Sequence, residues 1–336
     1  FFYCDKLIAN KYLLSLWEKK INILPRLFLF SIYGVIMYFK YTKRYHYADN
    51  NEGGDMDPEN VIDKFDPVLS VPEKDLIKGR AILNKMNPEN RKIILFFSRD
   101  DAYTDFLLTN NIDIRFHSYR NANIDSFQLA AEELSQKGYT LIRVGSQVKK
   151  KIKFNSQYII DYSNSVYQSD FMDIYLQSVC EFFITTGSGI NSVAHIFKKP
   201  LLYVSFSPYG YSPTDISRLK CIYKKVFDTS KNKFLPLSEM FERGIAQAYN
   251  TDFYIKNNIT LIDNTSEEIR DACVEMLDSI NCNFQISEHD KNIHAKFWDI
   301  YYESVQKYAI DRLGNRESYR MQIGNKFLKD NLYLLD

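Results

Sequence analysis

The sequence predicts an α/β protein built on a doubly wound parallel sheet. From residue 91 onward, short apolar segments of strand length alternate with amphipathic segments of helical period, the pattern of a parallel sheet covered by helices on both faces. The 336 residues are enough for two domains or one large one. Because the chain has only 12 glycines, a local cluster of glycines is an informative sign of a tight loop.

Residues 1–89 are expected to form an N-terminal domain and a linker. Residues 1–4 predict a strand and residues 7–20 a helix. A further helix is predicted over residues 73–85, after a proline that favours a turn. This region is short for a complete domain.

The apolar residues 27–39 raise the question of a membrane. A helix that crosses a bilayer needs about 20 apolar residues, so this segment is too short. It predicts either a buried helix or, because lysines and arginines flank it, a helix lying in a membrane surface. The following residues 47–60 indicate a loop, in which Asp55 and Asp57 suit turn capping better than a metal site.

Residues 90–288 are predicted to form a second domain, and residues 289–336 to contain helices that return to the first. Strands are predicted over residues 93–97, 139–144, 158–161, 182–185, 201–206 and 259–262. Helices are predicted over residues 126–137, 170–179 and 189–197, over a segment that Asn264 or Thr265 begins, and near residues 290–308.

Composition excludes several classes of protein. Lys+Arg is 43 and Asp+Glu is 42, and a net charge of +1 provides no general field for nucleic acid. The five cysteines form no C-x-x-C pair, so we expect a reduced cytoplasmic protein without a disulfide framework. His289 and His294 do not have the spacing of a zinc site, and we expect no metal.

The glycine-containing turn after the strand at 182–185 is the sharpest candidate for a binding site. Ligands of doubly wound sheets bind beyond the carboxyl ends of the strands. Thr186, Gly187, Ser188 and Gly189 lie there, at the start of a predicted helix whose free N–H groups attract anions. The alternative is a tight strand-to-helix turn, capped by Ser188, that binds nothing.

Two arginines end strands at the same edge of the predicted sheet. Arg99 and Arg143 would suit a diphosphate, since a guanidinium can hold two phosphate oxygens. Ordinary surface ion pairs are the alternative. The strand that carries Arg143 continues into a second loop of this edge, at Gly145.

Polar and aromatic residues in two other loops could contact a ligand. Tyr119, Arg120 and Asn121 together offer a stacking face, a charge and an amide, although they would equally suit a loop latched to its neighbour. Tyr209 lies in a loop rich in Pro and Gly and could stack on a base or a sugar, or simply form a turn.

A general base is harder to select. Asp100, Asp101, Asp161 and His117 are the candidates, and we select Asp100 because it follows Arg99 at a strand end.

Several stretches in order along the chain resemble a family of bacterial glycosyltransferases encoded in surface-carbohydrate loci. The resemblance covers about residues 90 to 335 and rests on FSRDDAYTD (97–105), SYRNANIDSFQLAAEELSQKGYTLIRVGS (118–146), CEFFITTGSGINSVAHIFKKPLLYVSF (180–206), ITLIDNTSEEIRDACVEML (259–277) and IGNKFLKDN (323–331).

The resemblance implies a GT-B fold, in which two Rossmann-like domains face a cleft, here with a short or truncated first domain. It implies metal-independent transfer from a nucleotide-sugar donor to a saccharide or lipid-linked saccharide. Gly187, Ser188 and Gly189 would face the donor diphosphate, Arg99 and Arg143 would neutralise it, and residues 119–121 would line the cleft. Such an enzyme would be cytoplasmic, either free or peripheral to the inner membrane. The competing hypotheses are a nucleotide-sugar epimerase and a non-catalytic sugar- or phosphate-binding scaffold.

Overall fold

The computed structural model describes residues 8–25, 27–28, 61–154, 156–213, 217–308 and 320–336. Within these residues a seven-stranded parallel sheet is formed by β1 Ile93–Phe97, β2 Thr140–Arg143, β3 Ile159–Ile160, β4 Phe183–Thr185, β5 Leu201–Phe206, β6 Leu219–Tyr223 and β10 Gln322–Ile323. Its strand order is β10-β6-β5-β4-β1-β2-β3. A smaller antiparallel sheet is formed by β7 Lys225–Asp228, β8 Lys233–Phe234 and β9 Ile259–Ile262, in the order β8-β7-β9.

Helices cover the sheet. In the described part of the chain they are α1 Lys11–Trp17, α2 Val61–Lys64, α3 Glu73–Met86, α4 Ala102–Thr109, α5 Gln128–Gln136, α6 Asp170–Val179, α7 Ser192–Ile196, α8 Leu237–Glu242, α9 Thr251–Lys256, α10 Ser266–Ile280, α11 Glu288–Lys307 and α12 Asn325–Asp330. Local sequence explains where they begin: Ser169 accepts a hydrogen bond from Met172 N–H at the start of α6, and Thr265 and Glu268 form a capping box at the start of α10.

Strands β1, β4 and β5 are uninterrupted apolar runs because both faces of the sheet are covered. Ile94 and Leu95 of β1 are fully buried, as is Leu202 of β5. Alternation of polar and apolar residues would expose one face, and these strands show none. The predicted α/β class with a parallel sheet is confirmed.

The order of the strands creates one switch point. The chain passes from β1 outward to β2 and β3, and then returns to the other side of β1 to form β4. The connections that leave the carboxyl ends of β1 and β4 therefore diverge, which opens a crevice between them.

The N-terminal helices pack against this same body. Asn10 Nδ2 donates to the carbonyl of Asp170 at 2.9 Å, and the Lys11 N–H donates to the Asp170 carboxylate at 2.7 Å. Leu16 of α1 is buried with Ile174 of α6. Residues 1–4 and 29–39, for which a strand and most of a helix were predicted, lie outside the described residues, as do Asp55 and Asp57. The second Rossmann-like domain and its cleft stay a prediction.

Two elements differ from the sequence prediction. The helix expected over residues 189–197 is a 3-10 turn, Gly189–Asn191, followed by the short α7. The strand predicted over residues 259–262 belongs to the antiparallel sheet, where it pairs with β7. Within the described residues, no helix is both long and apolar enough to cross a bilayer.

Candidate functional site

The loops after β1 and β4 meet at the switch point. The backbone N–H of Arg99 donates to Thr186 Oγ1 at 2.9 Å, and both residues are buried. Both loops were selected separately from the sequence, and the structure brings them together. This contact fixes the floor of the crevice.

A 3-10 helix, Arg115–Arg120, and the residues after it lie against the same edge. Arg120 Nη2 donates to the carbonyl of Gly187 at 2.7 Å. Arg99 Nε donates to Asn121 Oδ1 at 3.2 Å, and the Ala122 N–H donates to the carbonyl of Arg99 at 3.0 Å. Two guanidinium groups from different elements thus converge beside Gly187, as predicted for Arg99 but not foreseen for its pairing with Arg120.

Lys224 adds a third cation that was not predicted from the sequence. It follows the carboxyl end of β6, is almost fully buried, and its Nζ lies 2.7 Å from Asp263 Oδ1 while donating to the carbonyl of Asn121. Burial lowers the pKa of this amine, and Asp263 opposes that effect. The only sequence signal was its place just beyond a strand that itself was not predicted.

Among the described residues, no carboxylate lies within ion-pair distance of Arg99 or Arg120. Burial lowers the pKa of Arg99, and the charge of Arg120 lowers it further. Burial, with the charges of Arg120 and Arg99, also lowers the pKa of His117 to about 4, so this imidazole is neutral at pH 7. The crevice therefore carries positive charge without a direct counter-ion in the described part of the chain, and this charge would attract an anion.

Gly187 is required by its surroundings. Its φ is +81°, and a Cβ atom there would lie 2.8 Å from Phe206 Cε2. Gly145 also has a positive φ, of +138°, with Val148 and Phe97 close by. Gly189 has open space around it, so glycine is not needed there for packing.

The amides of this turn are largely occupied. The Gly187 N–H donates to Thr185 Oγ1 at 3.2 Å, and the Ser188 N–H donates to Asn191 Oδ1 at 2.6 Å. The helix that follows, α7, has five residues, so its dipole is small. The anion site predicted at this helix N-terminus is therefore better assigned to the neighbouring arginine side chains.

Arg143 does not face the crevice in this structure. Its side chain is 1% exposed; Nη1 donates to the carbonyl of Lys150 and lies 3.6 Å from Asp161 Oδ1. Burial lowers its pKa, and Asp161 raises it. The predicted diphosphate contact fails here because the loop that carries Lys150 covers the guanidinium.

Tyr209 is also buried, and the prediction that it lines the cleft is wrong. Its ring stacks on Tyr223 with centroids 4.0 Å apart, and it is 2% exposed. Its carbonyl accepts a hydrogen bond from Tyr301 at 2.9 Å, which ties the loop to α11. Tyr119, in contrast, lies beside the arginines, with its ring 5.3 Å from that of Tyr254.

Asp100 is held as a structural acceptor. One carboxylate oxygen accepts from the Ala102 N–H and the other from the Lys149 N–H, each at 2.9 Å. Asp101 accepts from Asn121, and Asp161 accepts from the Ile152 N–H. These bonds leave the selected base, Asp100, tied into its loop.

His117 differs from these carboxylates. Its Nδ1 has no hydrogen-bond partner among the described residues, and its ring lies 4.1 Å from that of Phe116. A search of the same residues for three or more His, Cys, Asp or Glu side chains that could hold a metal finds no such group.

Comparison with known proteins gives a structural likeness. No protein-family model matches the chain, and no curated protein matches it. The chain is similar to the solved structure of E. coli ADP-heptose LPS heptosyltransferase II, with 16% sequence identity and a TM-score of 0.35. The likeness covers 63% of this chain and 52% of that one, so the chain spans about half the length of that protein.

Proposed function

We propose that this protein is a glycosyltransferase that moves a sugar from a nucleotide-sugar donor to a hydroxyl of a bacterial surface polysaccharide or glycolipid. The observation that carries the proposal is the pair Arg99 and Arg120, which converge at the switch point of a doubly wound sheet without a carboxylate partner among the described residues. The resemblance of residues 90–335 to surface-carbohydrate glycosyltransferases supports the same class.

The charge distribution suits departure of a nucleoside diphosphate. As the bond between the sugar and the diphosphate breaks, negative charge grows on the leaving oxygen, and preorganised cations stabilise it. Arg99 and Arg120 would contact the phosphates directly, and Lys224 would add field from behind Asn121. This arrangement supplies charge neutralisation from side chains, so the proposal includes transfer without a metal.

A proton must leave the acceptor hydroxyl as the new bond forms. His117 fits this task better than Asp100, because it is neutral at pH 7 and its Nδ1 has no hydrogen-bond partner among the described residues. A diphosphate bound to Arg99 and Arg120 would offset the charges that lower its pKa and so make it a stronger base. The donor would arrive from the cytoplasm, and a lipid-linked acceptor would place the reaction at the inner face of the membrane.

Calorimetry with inorganic pyrophosphate and with UDP, GDP, ADP and dTDP tests the site, each with and without EDTA. We expect pyrophosphate to bind and one nucleotide to bind more tightly, unaffected by EDTA. Arg99→Gln or Arg120→Gln should weaken binding by at least about tenfold, because a charge-assisted hydrogen bond to phosphate contributes about 1.5–3 kcal/mol.

Arg115→Gln is the matched control. Arg115 lies in the same 3-10 helix as Arg120, but it is exposed and pairs with Asp113 at 2.7 Å. Its replacement should leave affinity unchanged. Equal losses in all three variants would indicate a diffuse charge effect, and absence of binding to the wild type would refute the proposal.

A further inference from the structure

A group of tyrosines beside the arginines has no part in the proposed transfer. Tyr119, Tyr211, Tyr249 and Tyr254 come from three segments that meet at the carboxyl edge of the sheet. Tyr119 directly precedes Arg120, so the aromatic group and the cationic group share one element.

Thr251 holds the segment of Tyr249 against that element. The Tyr119 N–H donates to Thr251 Oγ1 at 3.0 Å, and Thr251 Oγ1 donates to the carbonyl of Phe116 at 3.0 Å. Ser118 Oγ lies 2.9 Å from the same hydroxyl. Because Tyr249 is two residues before Thr251, these bonds fix its backbone close to the 3-10 helix that carries Arg120.

Tyr211 links the remaining rings. Its centroid lies 6.4 Å from that of Tyr249, with the rings at 60°. Burial raises the pKa of Tyr119 to about 12, and Tyr211 adds to this rise, so the two hydroxyl groups lie near each other. Tyr211 has a similar effect on the pKa of Tyr254. The tyrosines thus form a continuous path from Arg120 to Tyr249.

Exposure separates Tyr249 from its neighbours. It is 57% exposed, whereas Tyr119 is 9% exposed and Tyr209, the residue first expected to stack on a ligand, is 2% exposed. A rigid aromatic face open to solvent next to buried cations suits a molecule with a flat ring at one end and phosphates at the other. A nucleoside diphosphate has that form.

We propose that Tyr249, supported edge-on by Tyr211, stacks on the base of the nucleoside diphosphate whose phosphates Arg99 and Arg120 bind. This inference rests on the proposed function and adds the place of the base. Since every base has a π-face, stacking alone gives affinity with little selectivity among bases.

The test compares ligands with and without a base. Calorimetry measures the affinity of the whole chain for pyrophosphate and for UDP and ADP, in the wild type, Tyr249→Ala and Tyr249→Phe. Tyr249→Ala should weaken UDP and ADP by about tenfold or more, as loss of a stacked base does. Its affinity for pyrophosphate should stay within about twofold, and Tyr249→Phe should restore nucleotide binding.

Ile255→Ala is the matched control, since Ile255 lies on α9 and is 68% exposed. It should change neither affinity. If Tyr249→Ala leaves nucleotide binding intact, or weakens pyrophosphate equally, the stacking role is refuted while the anion site stands. If the wild type binds neither pyrophosphate nor nucleotide, the proposed function is refuted and this inference with it.

Discussion

Replacement of Gly187 by alanine should destabilise the protein strongly for a single methyl group. The left-handed backbone, with φ of +81°, costs a residue that has a side chain about 1–2 kcal/mol. The new Cβ would lie 2.8 Å from Phe206 Cε2, and such overpacking costs about 1–3 kcal/mol. The sum, about 2–5 kcal/mol, corresponds to a melting temperature lower by about 3–7 °C for a chain of this length.

Gly189→Ala provides the comparison, two residues further along the same turn. No atom lies within 4 Å of the position that its new methyl group would take, and its φ is outside the left-handed region. Its free energy of unfolding should change by less than about 1 kcal/mol. Urea unfolding followed by circular dichroism measures both variants. Equal stabilities would refute the assignment of strain to Gly187 and, with it, the close packing of the turn on Phe206.

Two further predictions concern buried charges. Glu275→Gln should lower the free energy of unfolding by about 3–5 kcal/mol, because Lys220, 2% exposed and 2.5 Å from Glu275, would keep a buried charge without its partner; a loss below about 1 kcal/mol in urea titrations would contradict this. Burial raises the pKa of Asp173 to about 6, against the hydrogen bond from Tyr162, so the folded state binds this proton more tightly than the unfolded state does, and stability falls as pH rises from about 4 to 6. Asp173→Asn should remove that fall, and its stability relative to the wild type should increase by up to about 3 kcal/mol between about pH 4 and pH 7; a difference independent of pH would contradict the assignment.

The parallel sheet was predictable where local sequence and burial agree. The run IILFF of β1 is apolar throughout, and helix α10 carries its own start signal in Thr265 and Glu268. Strand β6 was missed because Lys220 interrupts its apolar pattern. That lysine is tolerated in the interior only through Glu275, which is distant in sequence and invisible to a local pattern.

The candidate site was predictable in its position and less so in its members. The rule that ligands bind beyond strand ends selected Arg99 and Gly187 correctly as neighbours. The same rule could not show that a loop would bury Arg143. Tyr209 was misjudged because Gly210, its neighbour, packs against the carbonyl of Ala246 and draws the loop inward. Such choices depend on contacts between distant segments.

The pairing of β10 with β6 has a consequence for synthesis of the protein. Gln322 aligns with Lys220 and Ile323 with Cys221, so among the described strands β6 is paired on only one side until residue 323 has left the ribosome. Translation of residues 224–321 takes about 5–20 s at about 5–20 residues per second. During that interval the nascent chain presents an open parallel edge that another chain could extend. Yield of soluble protein should therefore depend on how quickly this stretch is translated, and less on the speed of the stretch before it.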